Sequence, residues 1–205
     1  FNLNSAVDHL LKKEFDVHRA AKRPHPLMEH YGIDAVPFQH RDLDKWRENF
    51  VGVQYLYTPA NFLVTGAVDD VWVNPKGELI VVDYKATSKD SEVNIDADWQ
   101  DGYKRQMEIY QWLLRKSGFE VSHTGYFVYA NGKRDRAAFD AKLEFDVIVL
   151  PYKGNDSWVD KTLLEFRKAL HQDKPPKANP ECDYCNYREA AREMLGTHKE
   201  NQSLF

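Results

Sequence analysis

The chain has 205 residues, 42% of them hydrophobic, and a net charge of −4; it can build one sizeable core with a small appendage, and it is too acidic overall to bind polyanions indiscriminately. Any nucleic-acid contact must therefore come from a local basic patch. No run of 18 or more apolar residues and no signal-like opening segment occurs, which predicts a soluble, cytoplasmic protein with no membrane partner.

In chain order, Ala6 to Ala20 carries Val7, Leu10, Leu11 and Phe15 at helical spacing, with Lys12, Lys13 and Glu14 on the other side, so an amphipathic helix is predicted. From Ala21 to Gln39 the Pro and Gly content predicts a loop with a short helix at Pro26 to Tyr31. His25, His30 and His40 lack acidic company in a regular element and are expected to be loop or surface residues rather than metal ligands. Asp42 to Phe50 is predicted helical, with Leu43, Trp46 and Phe50 on one face, and Val53 to Tyr57 is predicted to be a strand.

The most informative stretch is Gly66 to Lys85. Val64 to Val73 and Leu79 to Val82 are rich in Val, Ile and Trp and flank Asn74-Pro75-Lys76-Gly77, so an antiparallel hairpin is expected, with Asp69 facing the region of Asp83. Two carboxylates with a lysine nearby suit a hard cation such as Mg²⁺. Lys85 lies two residues after Asp83, and on an extended strand both side chains leave the same face, whereas the Tyr84 ring points to the other.

A polar stretch to Ile95 leads into a helix from about Trp99 to Lys116, on which Gln106 and Tyr110 are four apart and share a face. Lys104, Arg105, Arg115 and Lys116 on this helix, with Lys12, Lys13, Lys22 and Arg23 near the first, could form the local basic strip. Thr124 to Tyr129 is a predicted strand, Asn131-Gly132 a hairpin signal, and Leu143 to Leu150 the returning strand. Ser157 to His171 is a further amphipathic helix. The expected domain covers 1–172, followed over 173–205 by a Pro-rich connector and a tail holding Cys182-x-x-Cys185.

Gly66-x-x-Asp69, then Asp83-Tyr84-Lys85, then Gln106-x-x-x-Tyr110 together resemble the PD-(D/E)xK nuclease superfamily, and the Gln-x-x-x-Tyr motif resembles its RecB-like branch, which includes CRISPR-associated RecB-like exonucleases. The resemblance implies an α/β, restriction-endonuclease-like mixed sheet with an α-β-β-β-α-β core flanked by helices. It implies hydrolysis of DNA phosphodiester bonds with Mg²⁺ or Mn²⁺ held by Asp69, Asp83 and the Tyr84 carbonyl. Lys85 would orient and acidify the attacking water or stabilise the phosphate, and Gln106 and Tyr110 would bond a phosphate or hold Lys85. An extra ligand is expected from the first helix, where Asp8 fills the slot and His9 is the alternative.

The implied substrate is single-stranded DNA or DNA ends, and the implied partners are a helicase or other repair, recombination or CRISPR proteins. Relatives in this branch often clip their ends together with four cysteines around an iron-sulfur cluster. Here only Cys182 and Cys185 occur, so a cluster is possible only with further cysteines upstream of residue 1; the chain opens on Phe1 rather than Met, which leaves room for them. The competing readings are a non-catalytic nucleic-acid-binding or scaffold subunit that keeps the fold, and a metallo-adapter built on the cysteine pair.

Overall fold

The computed structural model describes residues 2–202, with side chains from 2 to 196. Contacts divide the chain into two compact units, Phe1–Leu163 and Leu164–Phe205. In the first unit, α1 (Asn2–Ala20), α2 (Pro26–His30), β1 (Val36–Pro37) and α3 (Leu43–Arg47) precede a pair of strands, β2 (Val53–Tyr57) and β3 (Phe62–Gly66). Then follow β4 (Asp70–Val73), β5 (Leu79–Thr87), a short 3₁₀ turn at Asp98–Gln100, α4 (Asp101–Lys116), β6 (Thr124–Gly132), β7 (Phe145–Lys153) and the start of α5 (Val159–Leu170). The second unit holds the end of α5, the connector and α6 (Asp183–Gln202), a helix for which the sequence reading made no provision.

The main sheet has the order β1-β4-β5-β6-β7. Strands β5 and β6 are parallel and the other neighbours antiparallel. A parallel pair needs a crossover, and α4 supplies it. This mixed sheet with flanking helices is the expected restriction-endonuclease-like architecture.

Alternation along β5 assigns the two faces. Leu79 and Val81 pack with Met107, Tyr110, Leu113 and Leu114 of α4. Ile80, Val82 and Tyr84 pack with Leu11 and Phe15 of α1. Phe15 and Trp72 are fully buried and stack at 5.4 Å between centroids, which anchors α1 to the sheet. Strand β5 is thus apolar on both faces until Asp83, where the first charge appears in its buried run.

Several expectations are corrected. The helix over 42–50 stops at Arg47 because Glu48 turns extended (ψ 124°) and its carbonyl takes the amides of Val51 (3.2 Å) and Gly52 (3.0 Å); Phe50 leaves the buried face and is fully exposed. Leu10, expected on the packed face of α1, is also exposed. The strand expected from Val64 to Val73 is two strands in two sheets. Its break runs over 67–69, where Val68 is fully buried and its amide bonds the Trp46 carbonyl at 3.0 Å instead of a strand partner.

Asn131-Gly132 makes no tight turn: both lie in β6, opposite Asp146 and Phe145. The Asn131 side chain takes the Lys89 amide at 2.8 Å and donates to the Lys89 carbonyl at 3.0 Å, so a polar lock to the segment after β5 overrides local turn preference. The chain reverses instead over 133–144. His25 lies in the loop before α2, as expected, but is buried rather than at the surface. It is 3% exposed, stacks on Phe15 at 4.2 Å, accepts the Leu27 amide at Nδ1 and donates from Nε2 to Glu14, which makes it a buried helix cap.

Candidate active site

The hairpin around Asn74–Gly77 forms as expected. The Asn74 side chain accepts the amides of Lys76 and Glu78, both at 3.0 Å, and Gly77 sits at φ +83°, a region open to glycine. Its register pairs Asp70 with Val82. One step further along the same register, Asp69 comes opposite Asp83. Because Asp69 lies in the break before β4, no strand partner claims that position, and its carboxylate instead accepts the Tyr84 amide at Oδ2 (2.9 Å) and the Lys12 ammonium at Oδ1 (3.1 Å).

Lys12 also bonds Asp8, one turn back on α1, at 2.8 Å. Burial alone would lower the Lys12 pKa, but the Asp69 and Asp8 carboxylates outweigh it and raise it. Of the two neighbours weighed for α1, Asp8 is therefore joined to Asp69 through Lys12, whereas His9 is exposed at the rim of the same cleft.

Asp83 is 2% exposed. Burial pushes its pKa up to about 7; the Lys85 ammonium opposes that, and Asp69 and Asp8 add to it. Lys85 contacts the buried Asp83 Oδ2 as an ion pair, so an ammonium stands where a cation is needed. The same ammonium lies 4.6 Å above the Tyr103 ring, a cation–π contact that sequence pattern alone did not signal.

On α4, Gln106 donates from Nε2 to the Tyr110 hydroxyl oxygen at 2.7 Å. Burial, reinforced by Asp83 and Asp69, pushes the Tyr110 pKa up to about 12, so the phenol keeps its proton and can donate it into the cleft. Gly66 closes this corner: a Cβ there would lie 2.7 Å from the Tyr110 ring.

These groups line two adjoining clefts of about 600 and 490 Å³ that share Asn49, Ala67, Asp69 and Lys85. Asp8, Lys12 and Tyr103 belong to the first; Phe50, Asp83, Gln106 and Tyr110 belong to the second.

Beneath the clefts lies a buried ionic lattice that sequence reading missed. Asp70, fully buried, accepts from Arg19 (2.5 Å), Arg47 (3.0 Å) and the Tyr84 hydroxyl (2.7 Å). Arg47 also grips Asp16 through both carboxylate oxygens and donates to the Asp69 carbonyl at 3.0 Å. Burial would lower the Arg47 pKa, but Asp70 and Asp16 raise it. This lattice ties α1, α3, β4 and β5 together immediately behind Asp69. The Tyr84 ring does point away from Asp83, as strand alternation requires, and it ends in this lattice.

The basic strip is not continuous. Arg115 pairs with Asp156 at 2.6 Å, Lys116 with Asp160 at 3.2 Å and Lys104 with Asp101 at 3.1 Å. Cys182 and Cys185, in the second unit, carry free thiols at the start of α6; the Cys185 amide lowers the Cys182 pKa.

The sequence model of the PD-(D/E)XK nuclease superfamily matches residues 3–190. The chain belongs to that superfamily. Membership in the PD-(D/E)XK superfamily points to nuclease activity on a nucleic acid, and such nucleases generally use divalent metals such as Mg²⁺ or Mn²⁺. No curated protein matches the sequence. Among solved structures, the crystal structure of SSO0001 is similar at 22% identity and a TM-score of 0.33, over 60% of this chain and 48% of that one. The chain thus aligns with about half the length of SSO0001.

Among the described residues, no three His, Cys, Asp or Glu side chains form a ready-made metal cage. A Mg²⁺-type ion does not require one, because it commonly takes one or two carboxylates and completes its shell with water and substrate phosphate. The donor set fits that pattern: Asp69 and Asp83 are hard oxygen ligands lining one cleft, and the nearby Asp69 and Asp8 carboxylates add to the raised pKa of buried Asp83, so the pair calls for positive charge.

Proposed function

We propose that this PD-(D/E)XK protein is a Mg²⁺- or Mn²⁺-dependent deoxyribonuclease of the RecB-like branch, acting as an exonuclease on single strands or DNA ends. The observation that carries the proposal is the buried Asp83 carboxylate, ion-paired with Lys85, lining one cleft together with Asp69. A buried carboxylate beside a second carboxylate is costly unless cationic charge offsets it, and at Asp83 the Lys85 ammonium stands against the nearby Asp69 and Asp8. Asp69, Asp83, Asp8 and the Tyr84 carbonyl would hold the ion, with His9 as the alternative on α1.

When bound, a divalent ion neutralises phosphate charge and makes water more nucleophilic at neutral pH. The protein's own groups do the rest. Lys85, held between Asp83 and the Tyr103 ring, presents an ammonium that orients the attacking water and stabilises charge on the phosphate. Tyr110, its oxygen already bonded by Gln106, aims its hydroxyl proton at a phosphate oxygen. Arg47 fixes the backbone of Asp69 from behind.

Repair, recombination or CRISPR proteins, including a helicase, are the partner classes that fit a RecB-like enzyme. A scaffold subunit that had abandoned catalysis would be expected to lack one of Asp69, Asp83 and Lys85, and all three are present. Two thiols cannot hold a four-iron cluster, so a cluster would need cysteines outside this sequence. Among the described residues no helix is long and apolar enough to cross a membrane.

The test is incubation of end-labelled single- and double-stranded DNA with the purified chain and Mg²⁺ or Mn²⁺, beside Lys85→Ala. Cleavage that requires metal, prefers single strands or ends and disappears in Lys85→Ala is expected. Cleavage unaffected by Lys85→Ala, or its absence under every metal, would overturn the reading.

A further inference from the structure

We infer that Phe50 is a nucleobase-stacking residue at the rim of the active site, giving the enzyme a preference for an unpaired base beside the phosphate it cleaves; this rests on the nuclease reading above. The Phe50 side chain is 100% exposed. A single exposed apolar residue is ordinary on a protein surface, but three observations set this one apart. Its backbone lies at φ +69°, a conformation that bulky L-residues rarely adopt and that persists only where the surroundings impose it. It is one of the residues that line the cleft with Asp83, Lys85, Gln106 and Tyr110.

The third observation is that the loop carrying it is fastened at both ends. On one side, Trp46 is buried and Arg47 is locked to Asp16, Asp70 and the Asp69 carbonyl. On the other, the Val51 and Gly52 amides bond the Glu48 carbonyl, and Gly52, at φ +65°, packs so tightly on the Gly66 carbonyl that any Cβ there would collide with it. The backbone of Phe50 is thus held in place, and its aromatic side chain presented to solvent, by the same short segment that positions Asp69.

A solvent-facing ring on an anchored backbone beside the cleft matches the chemistry of a base, which offers a flat π-face of similar size to any aromatic platform. In a duplex both faces of an internal base are covered by its neighbours. Only a single strand or a frayed terminal base can reach such a platform, and the contact tolerates any base. The acidic chain also gains an affinity source that does not depend on positive charge.

The experiment measures binding of phosphorothioate oligonucleotides by fluorescence anisotropy in Mg²⁺, for wild type, Phe50→Gly and Phe50→Tyr, using single strands, blunt duplexes and a series with one abasic site moved along the strand. Phe50→Gly should weaken single-strand binding about tenfold, the size of one lost base stack, leave duplex binding unchanged and raise the melting temperature by relieving the backbone. Phe50→Tyr should restore binding. One abasic position should cost wild type about tenfold and cost Phe50→Gly nothing. Equal single-strand affinity in wild type and Phe50→Gly would overturn the stacking role while leaving the nuclease reading intact; failure of wild type to bind any oligonucleotide would overturn both.

Discussion

The Lys12 ammonium lies 3.1 Å from Asp69 Oδ1 and, through its second bond at 2.8 Å, couples that carboxylate to Asp8. In the metal-free protein a lysine thus neutralises two of the acidic groups that the proposed ion needs, so metal and lysine compete. Lys12→Met should raise Mn²⁺ affinity about fivefold, the worth of about 1 kcal/mol for a half-buried ion pair, while lowering the stability of the metal-free protein. Calorimetric Mn²⁺ titration checks this, and weaker binding by the variant would contradict it.

Asp8 should matter more to metal than His9 does, because only Asp8 is connected to Asp69. Asp8→Ala is expected to weaken Mn²⁺ binding by about tenfold and His9→Ala by less than twofold, on the scale usual for loss of a supporting ligand. Parallel titrations decide it. A larger loss in His9→Ala would reverse the assignment.

Asp83 carries a pH signature of its own. Its folded pKa is raised from 3.8 to about 7, so between those values the native state binds more protons than the unfolded chain, and metal-free stability must fall as pH rises through that window. Asp83→Asn should flatten this dependence and stabilise the metal-free protein by about 1–3 kcal/mol at pH 8, while abolishing cleavage. Urea melts at pH 5 and pH 8 provide the measurement; identical slopes in both proteins would refute it.

Gln106→Ala and Tyr110→Phe should each lower turnover roughly tenfold or more without changing Mn²⁺ affinity, because both act through a hydrogen bond to the substrate rather than at the ion. Single-turnover cleavage beside metal titration separates the two effects. Unchanged rates in both variants would reduce the pair to packing residues.

Removing the hub of the buried lattice should be the most destabilising single change near the site. Asp70→Ala strands the Arg19 and Arg47 guanidinium groups, at a cost of about 3–5 kcal/mol, and frees the Asp69 backbone. Chemical denaturation measures the loss, which should exceed that of Asp69→Ala.

Much of this centre was legible because its chemistry is local in sequence. Strand alternation alone placed Asp83 and Lys85 on one face and Tyr84 on the other, and helical spacing brought Gln106 to Tyr110. What could not be seen was long-range. Asp70 belongs to none of the motifs, and its partners, Arg19 and Arg47, lie 51 and 23 residues away and carry no shared motif. Phe50 followed helical periodicity until a backbone bond to Glu48 took it off the helix. Asn131-Gly132 obeyed its partner Lys89, 42 residues back, rather than its own turn preference.

Gly66 and Tyr110 meet so closely that the glycine of one motif is shaped by the tyrosine of the other. Residue 66 therefore cannot be diversified alone in any attempt to redesign this enzyme: a methyl group at that point displaces the phenol and, with it, the amide of Gln106. Libraries aimed at new substrate ranges should keep this pair fixed, or vary both positions together with a smaller residue at 110.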